Sequence, residues 1–144
     1  MTPTSYATIW AVAVALIGAG CGPSAGAAPN AKLKTVVSRG IVEIQTLADP
    51  ETLRAHLVRT LGRLRAVSGT TAAGRRVRLL AMRGFELTLC GVESRLSFTN
   101  NDSGNVEAAT RDAVRSDRCF SKGARLLRAA ALVLGFRAGK LKGY

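Results

Sequence analysis

Few side chains in this 144-residue chain are equipped for chemistry, and their spacing keeps them apart. The thiols are Cys21, Cys90 and Cys119, and the single imidazole is His56. Zinc ligation is specific when ligands come in closely spaced pairs, and His56, Cys90 and Cys119 have no such spacing, so no metal is implied. No HExxH, Gly-rich phosphate loop or nucleophile elbow occurs either, which implies no cofactor and reads as a non-enzyme. Two pairings remain. With Cys21 set aside, Cys90 and Cys119 are an even pair able to form a disulfide in an oxidising compartment. A hairpin midpoint near residues 104–105 would bring them level, whereas one near 101–102 would leave them about 9 Å out of step. Asp117 stands on an otherwise apolar seam, where a buried carboxylate needs a partner, and Arg83 is the candidate for that ion pair. A small ligand-binding or enzymatic cleft around Asp117 is the alternative use of the same carboxylate.

The 21 Lys and Arg against nine Asp and Glu give a net charge of +12, and every charged residue follows position 31. Arg111, Arg115, Arg118, Lys122 and Arg125 recur at four-three spacing, which places them on one helical face as candidates for anion contact. Either they meet Glu86 and Glu93 across a helical hairpin or they form an exposed cationic face. Arginine suits planar recognition of phosphate. Even so, no aromatics are interleaved for base stacking and no helix-turn-helix pattern is present, so nucleic acid is not the first expectation.

The elements that must position these residues are helical. An apolar content of 47% argues for a folded core, and the length allows one domain, too short for a large multidomain enzyme. In residues 32–47 the spacing of Leu33, Val37, Gly40, Ile44 and Leu47 fits a helix, while the β-branched pairs leave a strand open. Asp49, Pro50 and Glu51 form a helix start, followed by Leu53, Leu57, Leu61 and Leu64 on one face, up to Ser68 and Gly69. Thr70 or Thr71 caps a third stretch with Met82, Phe85, Leu89, Val92 and Leu96 inward. Gly84 and Gly91 on it offer a strip for close approach. The last helix spans about 105–136, with a seam of Val106, Thr110, Ala113, Asp117, Phe120, Ala124, Leu127, Ala131 and Leu134. Short connections between long amphipathic helices imply an all-α, up-and-down antiparallel bundle of three to four helices. The basic tail 137–144 has no periodicity and is expected to be mobile.

Ahead of this bundle, residues 7–20 are uninterruptedly apolar but short of the roughly 20 residues that span a bilayer. Gly18, Ala19 and Gly20 then precede Cys21, and a Gly/Ala/Pro-rich, uncharged stretch follows to residue 31. This N-terminus resembles the signal and tether of a bacterial lipoprotein, which implies a diacylated Cys21, residues 1–21 as export signal or anchor, 22–31 as tether and 32–136 as the bundle. Gly18 stands where that family prefers Leu, Val or Ile, and residues 1–9 carry no Lys or Arg. Two alternatives therefore stay open: cleavage after Ala27, and an uncleaved anchor with Lys32, Lys34 and Arg39 on the cytoplasmic side.

Together these features predict an exported, lipid-anchored, non-enzymatic envelope protein whose basic bundle contacts anionic lipid or wall polymer. The alternative is a membrane-tethered protein on the cytoplasmic face, binding nucleic acid or an acidic protein partner.

Overall fold

In the computed structural model, residues 30–68, 70–101 and 104–141 are described. They form four helices, α1 (Ala31–Thr46), α2 (Pro50–Ala66), α3 (Ala72–Thr99) and α4 (Val106–Val133), with no strand among the described residues. The architecture is an all-α bundle of helices packed antiparallel to their neighbours in sequence.

Residues 31–46 are helical although rich in β-branched side chains. Leu33, Val37, Gly40, Ile41 and Ile44 are buried along one stripe, and the burial of that stripe outweighs a β preference worth only about 1 kcal/mol. The chain leaves α1 through extended Leu47 and turns into α2 at Asp49, whose side chain accepts from the Thr52 N–H at 2.8 Å. Pro50 occupies the first turn, where its missing donor costs nothing. Leu53, Leu57, Leu61 and Leu64 face inward. At the far end the Arg78 Nη1 donates to the Val67 carbonyl at 2.7 Å, satisfying an acceptor beyond the last turn of α2.

Thr71 caps α3 by accepting from the Gly74 N–H at 3.0 Å. Asn30 reaches the same threonine twice, donating from Nδ2 to Oγ1 and accepting from the Thr71 N–H, each at 3.2 Å. The first turns of α1 and α3 are thereby held side by side. The core is centred on Phe85, fully buried, with Gly40 of α1 against its ring: a methyl group at Gly40 would lie 2.7 Å from the ring edge.

At 28 residues each, α3 and α4 are about 42 Å long. They outreach the 16 and 17 residues of α1 and α2, so the hairpin projects beyond the four-helix part. Its seam consists of small residues. A methyl on Gly84 would meet Leu127 at 2.8 Å, one on Gly91 would meet the Phe120 ring at 2.9 Å, and one on Gly123 would lie 2.9 Å from the Gly84 carbonyl oxygen. Buried Ser116 donates its hydroxyl across the seam to the Gly91 carbonyl of α3 at 3.0 Å, and buried Thr88 turns its hydroxyl back to the Gly84 carbonyl of its own helix at 2.9 Å.

Helix α4 ends three residues before the expected Phe136. Gly135, with φ of +75°, closes it through bonds from its own N–H to Leu132 and from Phe136 N–H to Ala131. Residues 137–141 continue beyond α4 without helix. Ala138 and Leu141 pack against the core and the Gln45 side chain donates to the Lys140 carbonyl at 3.4 Å. These tertiary contacts are ones that the segment's own aperiodic pattern does not encode.

Candidate functional site

The residues singled out by type fall into three places. Cys21 and the resemblance that rests on it lie outside the described residues. The other candidates sit on α2, α3 and α4.

Cys90 on α3 and Cys119 on α4 form a disulfide, with Cα atoms 6.0 Å apart across a sequence separation of 29. The hairpin midpoint falls between residues 104 and 105, the register that brings the two cysteines level. The bond ties the helices just where they leave the four-helix part. His56 goes elsewhere. Its Nδ1 lies 3.3 Å from Glu43 Oε1, and that largely buried carboxylate also meets Arg39 Nε at 3.4 Å and accepts from the Thr60 hydroxyl at 3.3 Å. This α1–α2 cluster is invisible to spacing rules, because its four-residue steps, Arg39 to Glu43 and His56 to Thr60, lie on two different helices and only the packing joins them. Among the described residues no group of three His, Cys, Asp or Glu is arranged to hold a metal.

The buried ion pair expected between Asp117 and Arg83 does not form. Asp117 is exposed, and exposed Arg83 lies 3.5 Å from Glu86, one turn along its own helix. The physical reason is the rotation of α4. The buried face runs through Ser116, Cys119, Phe120, Gly123, Leu127, Ala130 and Ala131, which turns Val106, Thr110 and Asp117 out to solvent. A seam that holds Ser and Gly at its closest contacts carries a weak apolar signature, so the apolar pattern points about one residue away from the buried face.

The same rotation settles the basic residues. Arg111, Arg115, Arg118, Lys122 and Arg125 are all exposed, on a stripe about 21 Å long. Glu86 and Glu93 are engaged by Arg83 and by Arg54, the latter at 3.5 Å. None of the five cations has a carboxylate within ion-pair distance among the described residues. Half-exposed Val114 lies beside them, and a shallow groove of about 400 Å³ runs along Thr110, Arg111, Val114, Arg115 and Arg118. Chemically this is a non-enclosed row of hydrogen-bond donors and positive charge. It can attract and align an extended anion.

Among the described residues, no helix is long and apolar enough to cross a membrane. Compared with known proteins, the chain matches no family model, no curated protein and no solved structure.

Proposed function

We propose that this is a non-enzymatic, membrane-tethered protein of the exported cell envelope, whose helical bundle holds an anionic lipid or wall polymer by distributed electrostatic contact. The observation that carries the reading is the row of five exposed cations on α4, none with a carboxylate within ion-pair distance among the described residues. Unpaired surface charge contributes little to folding. It raises the local concentration of anions, an effect that salt removes. Two further features support export. The apolar run 7–20 and Cys21 resemble a lipoprotein signal, and the Cys90–Cys119 bond belongs to an oxidising compartment rather than a reducing cytosol.

Titration of the full chain with polyphosphate, in a mild non-ionic detergent, tests the binding. Affinity is expected to fall steeply between low and moderate salt, because each phosphate contact releases counterions. Replacing Arg111, Arg115 and Arg118 together by Gln should weaken it and leave the helical spectrum unchanged. Salt-insensitive binding, or none, overturns the proposal. Intact-mass measurement of the membrane fraction tests the tether: a lipid on Cys21 is the expected species, and a chain starting at Ala28 or still carrying Met1 counts against it.

A further inference from the structure

All nine Asp and Glu lie within residues 43–51 and 86–117, and 18 of the 21 Lys and Arg lie outside those two segments. Along the sequence this looks like scattered charge. The fold gathers it. Residues 43–51 are the end of α1, its connection and the start of α2, while 86–117 are the far part of the α3–α4 hairpin. The described residues of both lie toward one end of the molecule, Asp102 being outside them. The opposite end is built from the start of α1, the last turns of α2, the start of α3 and the last turns of α4. It carries no acidic residue. The bundle is therefore polarised along its long axis, with a basic base and an acidic projecting hairpin.

The base has a shaped feature as well as a charge. Between the first turns of α1 and the last turn of α2 lies an open groove of about 530 Å³, bordered by Lys32, Thr35 and Arg63, with Ala31, Val36, Ala66 and Val67 supplying apolar surface. Lys32 and Arg63 are exposed, and neither has a carboxylate within ion-pair distance among the described residues. Asn30, where the uncharged residues 1–29 join the bundle, opens α1 at this same end. A groove with an apolar floor and two cations at its rim fits a molecule with an anionic head and an apolar body.

We infer that the base of the bundle is the face that lies on an anionic phospholipid surface, with the groove between α1 and α2 seating a lipid whose phosphate is held by Lys32 and Arg63. This rests on the anion-binding reading and sharpens it: the protein stands end-on on the end that is free of acidic residues, and the projecting part of the hairpin, where acidic residues are interspersed with Arg95, Arg111 and Arg115, points away. The row on α4 then rises from the surface instead of lying along it. Each cation near such a surface contributes roughly fivefold to partitioning.

The test uses the full chain with vesicles of phosphatidylcholine alone and of phosphatidylcholine mixed with phosphatidylglycerol. The ratio of partitioning between the two isolates the electrostatic part from whatever residues 1–29 contribute to both. The triple variant Lys32→Gln, Lys34→Gln, Arg63→Gln is expected to lose on the order of a hundredfold of that ratio at low salt, and Lys32→Arg with Arg63→Lys should keep it. The α4 variant Arg111→Gln, Arg115→Gln, Arg118→Gln should lose much less. All these side chains are exposed, and an unchanged helical spectrum verifies folding. If the α4 variant loses as much as the base variant or more, the molecule lies on its side and the end-on inference is overturned while anion binding stands. If the wild-type chain shows no preference for phosphatidylglycerol and no affinity for polyphosphate, the anion-binding reading itself fails.

Discussion

Gly123 and Gly62 are both helical glycines, and they should respond in opposite directions to the same substitution. Alanine is favoured over glycine in a helix by about 1 kcal/mol. At Gly62 an added methyl meets nothing within 4 Å, so Gly62→Ala should raise stability by up to about 1 kcal/mol. At Gly123 the methyl would sit 2.9 Å from the Gly84 carbonyl oxygen and 3.1 Å from the Thr88 nitrogen, and backbone cannot step aside as a flexible side chain can. Gly123→Ala should therefore lose about 1–2 kcal/mol net, as overpacking outweighs propensity. Denaturant midpoints of the two variants decide it; equal shifts would mean that the α3–α4 seam is loose. Asp49 supplies a second test at this scale. The Thr52 hydroxyl, and then the Thr52 N–H, hold its carboxyl below the ordinary value of 3.8. A lowered folded-state value means that the cap's ionic contribution is complete above that ordinary value and disappears as pH falls through the lowered one. The stability difference between wild type and Asp49→Asn, which keeps an acceptor but no titration, should be constant near neutrality and shrink in acid. Thermal melts across the acid range measure it.

Among the elements, the hairpin of α3 and α4 depends on its covalent tie. Closing a loop with a sequence separation of 29 removes unfolded-state entropy worth about 3.5 kcal/mol in the chain-entropy model. Reduction, or replacement of both Cys90 and Cys119 by Ser, should lower the denaturant midpoint accordingly while helical content persists through the Ser116 and Gly84–Gly123 contacts. Unchanged stability on reduction would show that the bond adds nothing to the native hairpin. The starts of α2 and α3 were legible in the sequence, because Asp49 with Pro50, and Thr71 ahead of Gly74, act on neighbours three residues away. Leu53, Leu57, Leu61 and Leu64 were legible for the same local reason. The face of α4 was not: Ser116 and Gly123 are buried because backbones approach closely there, and closeness is a property of two helices. The packing of residues 137–141 was equally hidden, since the Gln45 contact spans 95 positions. The exposed row from Arg111 to Arg125 was legible as a stripe. Its lack of carboxylate partners among the described residues was not, because it depends on Arg83 and Arg54 engaging Glu86 and Glu93.

For the whole molecule, separation of charge along the axis has a consequence for how copies meet one another. At a salt concentration near 0.1 M, fields reach only about 10 Å, so a neighbour senses the nearest pole rather than the total of +12. The acidic hairpin of one copy is then a counter-surface for the basic base of the next. Such a contact joins two different patches, and without a rotation that closes a ring it repeats into open chains. Light scattering of concentrated protein should rise as salt is lowered from that level and vanish on its return. Anionic vesicles should suppress it too, by occupying the base. A scattering signal indifferent to salt would mean that the poles never meet, and that copies crowded on a surface stand as independent particles instead of stacking into the space above it.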